Sequence, residues 1–342
     1  MTTKDSRLRP TMNDVAKLAG VSLKTVSRVV NGEPGVSTEL IERVETAAAQ
    51  LDYRPNFTAS NLRRSQGTTR TVGLLLENVA NPFSAALLRA IEDYARTRGS
   101  AVLSASVGED ASREVSLAQA FLARQVDGLI IAPSADSQAY LAREVARGTA
   151  MVFVDRPPVN LDADTVSSEN LEGSRAAVRH LLGRGHRRIA FLSDYLRIST
   201  AAERLLGYRE ALAEAGVVVD PALVVGDLHD APAAEAAARR LLLAQDPPTA
   251  LFTAQNLVTM GAVRALRALD LHHRVALFGF DDFALADMLD PPVAVVEQDI
   301  YALGRTAARM LFDRIDGSRT GRGEHVRIPT RLVPRASGQI RE

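Results

Sequence analysis

Apolar residues recur every three or four positions through residues 11–51 and predict three short helices. Thr11 and Asp14 form a capping box for the first, with Val15, Ala16, Leu18 and Ala19 on its inner face. Gly20 ends it, since glycine takes up positive φ without a steric cost. Ser22 caps the second, where Val21, Val26, Val29 and Val30 share a side. "NGEPG" is a turn, and Ser37 opens the third helix with Leu40, Ile41, Val44, Ala47, Ala48 and Leu51 inward. "YRPN" breaks the pattern at Pro55. Asn56 then caps "FTASNLRR", a segment too short to be a stable helix in water, and the polar linker "SQGTTRT" follows.

From Val72 the period changes. The apolar runs "TVGLLL", "AVLSAS", "VDGLIIAPS" and "MVFVDR" alternate with helical segments such as "PFSAALLRAIEDYARTRG". The alternation restarts at "RRIAFLSD" and continues through "ALVVGD", "ALFTAQN" and "RVALFGFDD". This predicts an α/β body of parallel strands and crossover helices, arranged as two similar lobes.

One face of the second helix breaks the usual rule for a solvated surface. Leu23, Lys24, Ser27 and Arg28 lie together, opposite the valines. Two helices joined through Ala-Gly-Val-Ser make a helix-turn-helix, whose second helix is free to enter a DNA major groove. Arg28 can donate two hydrogen bonds to guanine, Lys24 can reach a base or a phosphate, and Leu23 can pack on a thymine methyl. Ser22, Thr25, Ser27 and Asn31 suit phosphate contacts, which set register. The competing expectation is an ordinary three-helix bundle with a solvated basic face.

Charge sharpens the choice. The 342-residue chain has 41 Lys+Arg and 41 Asp+Glu, so it is neutral overall. Residues 1–70, however, hold 11 basic and 7 acidic side chains, an excess of 11 − 7 = +4 that leaves 30 − 34 = −4 for the rest. A basic head on an acidic body points to a polyanionic partner for the head. The absence of cysteine excludes disulfides and thiol chemistry. No apolar run reaches membrane-spanning length and the start shows no secretory signal, so a cytoplasmic protein without a membrane partner is expected. "GRGHRR" follows a helix and precedes a strand, the reverse of a phosphate-loop order. The six histidines lack metal spacing, and His272-His273 read as a solvated loop pair. No nucleophile motif or cofactor loop is present, so no enzyme, cofactor or metal is expected.

"TMNDVAKLAGVSLKTVSRVVNG", continued by "LDYRPN", closely resembles the opening of the LacI/GalR (lactose-repressor) family of bacterial transcription regulators. "NPFSAALLRAIEDYA", "VDGLII", "VFVDR", "HLLGRGHRRIAFL", "RLLGYREAL", "ALFGFDD" and "RIPTRLVPRAS" resemble its landmarks in the family order, so the resemblance spans the chain. It implies a helix-turn-helix domain over 1–55, a hinge helix and linker over 56–71, and a two-lobed, periplasmic-binding-protein-like body over 72–342 that binds effector and dimerises. Lobe 1 is expected at about 72–166 and 298–328, and lobe 2 at about 167–297 and 329–342. In the family the hinge folds on the operator and pairs with its dimer mate. Ala59 and Leu62 share its face, and Leu62 matches the leucine that wedges into the minor groove.

The resemblance also implies a small effector held between the lobes by Phe83, Ser134, Asp155, Arg156, Arg204, Gln255, Asp281 and Gln298. Arg204 and Asp281 match a paired polar clamp. Two departures stand out: Gln255-Asn256 where Asn-Asp is common, and Glu169-Asn170 where Asp-Asn is common. The longer Gln255 is expected to reach about one methylene further into the pocket. The expected protein is a sequence-specific regulator, a repressor controlled by a sugar or sugar derivative, with a nucleoside or purine as the alternative effector. A two-lobed solute-binding protein without a regulatory role is the other alternative, and the helix-turn-helix speaks against it. One head reads one half-site, so a homodimer on a near-palindromic double-stranded operator is expected. No leucine heptads accompany the closing "ASGQIRE", which favours a dimer over a tetramer.

Overall fold

Three helices build the N-terminal unit: α1 (Met12–Ala19), α2 (Leu23–Val30) and α3 (Thr38–Gln50). The computed structural model describes residues 10–30, 33–54 and 68–342, and the chain divides into two units between Thr69 and Arg70. The Thr11 hydroxyl accepts from the Asp14 N–H while the Asp14 carboxylate accepts from the Thr11 N–H at 2.8 Å, so the capping box closes in both directions. Gly20 sits at φ 63°, and Arg43 from α3 donates to the Ala19 carbonyl at 2.7 Å, satisfying an end of α1 that the turn exposes. Val15, Ala16, Ala19, Val26, Val44 and Ala47 form the core. Leu18 departs from expectation and is 49% exposed. At about 100° per residue it falls well off the stripe that Val15, Ala16 and Ala19 define.

The second unit is two parallel α/β lobes. The first contains β1 (Thr71–Leu76), α4 (Pro82–Thr97), β2 (Ala101–Ser106), α5 (Ala111–Ala123), β3 (Gly128–Ile131), α6 (Ala142–Ala146), β4 (Ala150–Val154) and β5 (Asp164–Ser168). The second contains α7 (Asn170–Gly183), β6 (Ile189–Leu192), α8 (Ser199–Glu214), β7 (Val224–Val225), α9 (Ala231–Leu242), β8 (Ala250–Thr253), α10 (Asn256–Ala268), β9 (Ala276–Phe280) and β10 (Ala294–Gln298). The chain then returns to the first lobe through α11 (Ile300–Ile315) and β11 (His325–Ile328), and ends in the second with β12 (Thr330–Val333). The sheet orders are β11-β5-β4-β3-β1-β2 and β12-β10-β9-β8-β6-β7, the same winding twice. Only β12 runs antiparallel to its neighbour among these described strands.

Continuous apolar runs fill the inner strands because helices cover both faces of a parallel sheet. Helices pack closely where glycine removes the side chain. A Cβ on Gly207 of α8 would lie 2.3 Å from the Leu171 carbonyl oxygen of α7, and one on Gly261 of α10 would lie 2.4 Å from the Ala231 oxygen of α9. The hydropathy pattern does not predict β5, β10, β11 or β12. These strands are short, and β5 ("DTVSS") is polar yet buried. Its Ser167 hydroxyl is satisfied by the His325 ring at 2.7 Å. They are the strands that carry the chain between lobes. Single residues, Glu169, Asp299 and Pro329, separate β5 from α7, β10 from α11, and β11 from β12.

His272 is another departure: its side chain is 19% exposed, while His273 is 56% exposed. Leu277 and Leu289 line the same small hollow as His272. Among the described residues no helix is long and apolar enough to cross a membrane, and no group of three or more His, Asp or Glu is arranged to hold a metal ion.

Asp164 anchors the first lobe at the start of β5. Its buried carboxylate accepts from Arg314 at 2.8 and 3.1 Å, from Arg319 at 3.1 Å and from the Glu324 N–H at 2.9 Å. Burial works against its charge, but the bonds from Arg314 and the Glu324 N–H, with the nearby guanidinium charges, outweigh it and hold the carboxyl below its ordinary range. A carboxyl whose pKa is depressed by folding contributes stability above its unfolded pKa of about 4 and loses it as pH falls through the folded value. Asp164→Asn should therefore cost about 3 kcal/mol at neutral pH, because it leaves the arginines short of a partner. Melting curves of the wild type and the variant should converge as pH drops below about 4.

Candidate functional site

Two regions gather the polar residues singled out above, one on each unit. On the head, the Ser22 hydroxyl accepts from the Thr25 N–H at 3.1 Å and pairs with the Thr25 hydroxyl at 2.9 Å, which fixes the start of α2. Val26 is fully buried, so the opposite side of α2 must face outward. Leu23, 40% exposed, stands there beside exposed Lys24, with Ser27 and Arg28 half-buried. Arg28 is not free in space. Its guanidinium donates to the Pro34 carbonyl and lies 3.7 Å from Glu33, so the turn after α2 holds it. An apolar side chain flanked by cations on a rigid helix is a surface that matches base edges between phosphates. Asn31, Ala59 and Leu62 lie outside the described residues.

On the second unit, a solvent-open cleft lies between the two lobes. Phe83, Asp155, Arg156, Arg204, Gln255, Asp281 and Gln298 all line it. Ser134 does not. It lines an adjoining hollow that shares Arg156, and its N–H donates to the buried Glu114 carboxylate.

The local folding explains the convergence. Asp155 follows β4 and Asp281 follows β9, the equivalent strands of the two sheets. Both have φ 70°, and both donate their N–H to the neighbouring strand, at 2.9 Å to Val166 and to Val296. A positive φ at a residue with a Cβ is uncommon, and Asp tolerates it better than most. Two equivalent turns thus deliver one carboxylate from each lobe to the same cleft. Phe83 sits at the start of α4, where the Asn81 side chain caps the helix by accepting from the Phe83 N–H at 3.0 Å.

Arg204, on α8, is 5% exposed. It donates to the Asn170 side chain at 2.9 Å and the Ala254 carbonyl at 2.7 Å, lies 3.8 Å from Asp281, and places its guanidinium carbon 3.8 Å from the centre of the Phe280 ring. Two of its three nitrogens are spent on protein, which leaves Nη2 for a ligand. Asp281 also accepts from Gln298 Nε2, and the other end of that amide, Oε1, is buried without a partner. Burial raises the Asp155 pKa, with Arg156 and Arg204 opposing the rise.

Gln255 does not extend as expected. Its side-chain oxygen folds back to accept from the Leu257 and Val258 N–H groups at 3.0 and 3.2 Å, so the extra methylene caps α10 and only the amide nitrogen remains for the cleft. The next residue, Asn256, donates across the cleft to Asn81 at 2.9 Å.

Several lining residues escape the sequence argument. Glu77, Asn81, Asp194 and Thr200 share the cavity wall. Glu77 and Asp194 directly follow or nearly follow β1 and β6, so the strand-end rule that selects Asp155 and Asp281 would also have found them. Asn170 stands two residues past β5, as Asp194 does past β6, but β5 is not legible in the hydropathy pattern and the bond to Arg204 depends on another helix approaching.

Two family models match the chain: bacterial regulatory proteins of the lacI family over residues 11–56, and the periplasmic binding protein-like domain over residues 178–338. The ribose operon repressor of Haemophilus influenzae is 33% identical over 89% of this chain and 92% of its own length. The HTH-type transcriptional repressor PurR of Aliivibrio salmonicida is 29% identical over 89% and 92%. Among solved structures, the lac repressor dimer bound to operator and an anti-inducer superposes with a TM-score of 0.86 at 29% identity, covering 97% of this chain and 99% of that one. A complex of the transcriptional regulator CelR with cellobiose gives 0.70 at 33% identity, covering 96% and 100%.

Proposed function

This chain belongs to the lacI family of bacterial regulatory proteins, and on that footing we propose that it is a transcriptional repressor whose hold on its operator is set by a small polyhydroxylated effector in the inter-lobe cleft. It is a regulator and not an enzyme. The observation that carries the effector half is the cleft wall itself, where Arg204 keeps one nitrogen for a ligand beside the Asp281 carboxylate and the unpaired Gln298 oxygen. A sugar offers vicinal hydroxyls that accept from a guanidinium and donate to carboxylate and amide oxygens, and charge-assisted bonds of this kind are the stronger ones. Phe83 gives such a ring an apolar face. A purine is the second candidate, because the same phenyl ring can stack on a base and PurR is among the relatives.

On the head, Leu23, Lys24 and Arg28 are proposed to read bases, and Ser22, Thr25, Ser27 and Asn31 to hold phosphates. Ala59 and Leu62 are proposed to meet the minor groove. Two copies of the chain would present two heads to a near-palindromic site, and the solved lac repressor is a dimer on its operator. A cytoplasmic setting follows from that role.

Arg28→Ala should lower operator affinity by about 1–3 kcal/mol and relax the choice of base at one position. Selection from a random duplex library reads this out. An unchanged preferred sequence would remove Arg28 from base recognition.

Asp281→Asn should weaken effector binding about 10- to 100-fold, with operator binding in the absence of effector retained. Calorimetry with sugars, polyols and nucleosides, alongside operator binding on the same preparations, checks both halves. Wild-type effector affinity in this variant would place the ligand elsewhere. Arg204→Ala is the less direct test, since Arg204 also bonds Asn170 and Ala254.

A further inference from the structure

The charges around the cleft do not balance, and their imbalance bears on the effector. Four carboxylates line the cavity, those of Glu77, Asp155, Asp194 and Asp281, against the two guanidiniums of Arg156 and Arg204. One of those guanidiniums is largely consumed. Arg156 donates to both oxygens of Glu109 at 2.7 and 3.0 Å, to the Pro133 carbonyl at 3.1 Å, and lies 3.3 Å from Asp155. Since Glu109 is itself an additional carboxylate, the ion pair adds no positive charge to the site. At the cleft mouth, His229 from the second lobe lies 3.2 Å from Asp194 and 3.8 Å from Glu77, which belongs to the first. Burial, and next the neighbouring Glu109, push the Glu77 pKa upward, with His229 and Arg156 opposing the rise.

A separate observation points the same way. Gln298 is 5% exposed and lines this cavity; its Nε2 donates to Asp281, and its Oε1 has no partner. An orphaned acceptor needs a donor. The wall therefore carries more carboxylates than cations, while Arg204 Nη2, the Gln255 amide nitrogen and the unpartnered Arg156 Nε are its available donors. A ligand that brings O–H or N–H groups completes it. A phosphate or carboxylate brings acceptors and negative charge, and meets Glu77 and Asp194 on the cavity wall.

We infer that Glu77 and Asp194 are specificity determinants that reject anionic ligands, so that the effector is an unphosphorylated, donor-rich sugar and not a sugar phosphate or nucleotide. This rests on the proposal that the effector occupies the cleft. Like charges brought together in an interface are strongly disfavoured, and the phosphorylated member of a matched pair should bind at least about 100-fold more weakly than its neutral counterpart.

The test is calorimetry on the full chain with matched probes: ribose and ribose 5-phosphate, glucose and glucose 6-phosphate, adenosine and adenosine monophosphate. The same titrations are run on Glu77→Gln/Asp194→Asn, on Asp194→Asn alone, and on Arg204→Lys, each first checked for a cooperative melt. The expected result is a neutral probe that binds, a phosphorylated partner that is at least about 100-fold weaker, and a ratio that shrinks at least about tenfold in the charge-neutralised variants. A phosphorylated probe that binds the wild type as tightly as its neutral partner, and weakens in Arg204→Lys, overturns the inference and leaves the cleft as the effector site. Probes whose binding is indifferent to Arg204→Lys overturn the cleft assignment, and the inference falls with it.

Discussion

A guanidinium withdrawn from water must be matched on every side, and Arg204 imposes that requirement on the walls of the cleft. Its four partners arrive from three places in the chain. Asn170 follows the crossover from β5, Ala254 follows β8, and the end of β9 supplies both the Phe280 ring face and Asp281. A buried charge that loses one such partner is strongly destabilising, so the three segments are held to one arrangement. Asn170 also donates to Glu203 at 3.2 Å, and Glu203 lies 3.7 Å from Arg327 on β11 of the other lobe. The arginine that faces the ligand is thus linked through two side chains to a strand beyond the hinge.

The repeated winding of the two sheets gives this arrangement its symmetry. Equivalent strands end in Asp155 and Asp281, both turned to the left-handed region and both tied by their N–H to the next strand. Non-glycine residues stay in that region only where the surroundings over-determine them. Among the described residues, polar links between the lobes include Asn81 with Asn256, His229 with Glu77 and Glu203 with Arg327. Three single-residue crossovers join the lobes, and in the proposed function a ligand tips the balance between lobe arrangements by the difference in its affinity for them.

Much of this could be read from the chain. The capping box at Thr11 and Asp14, the positive φ at Gly20 and the alternation of strand and helix rest on local chemistry, and local chemistry is what a sequence displays. The polar strand β5 escaped because its polar side chains are buried by segments distant in the chain, with Ser167 bonded to His325, 158 positions away. Leu18 was assigned to the core on its hydrophobicity, although its angular position on α1 turns it outward. At the cleft, strand ends point to Asp155 and Asp281 without distinguishing the equally placed Glu77 and Asp194. The retreat of Gln255 onto its own helix, and of Arg28 onto Pro34, depends on competition between partners that only the folded chain brings together.

In the proposed function the cleft and the head are coupled. Coupling between two binding sites is reciprocal: whatever factor the effector applies to operator affinity, the operator applies to effector affinity. The direct measurement is effector binding by calorimetry on the full chain, with and without a saturating operator duplex. The account predicts that the duplex changes effector affinity about 5- to 150-fold, by the same factor that the effector changes operator affinity. Equal effector affinity on and off the operator would contradict it.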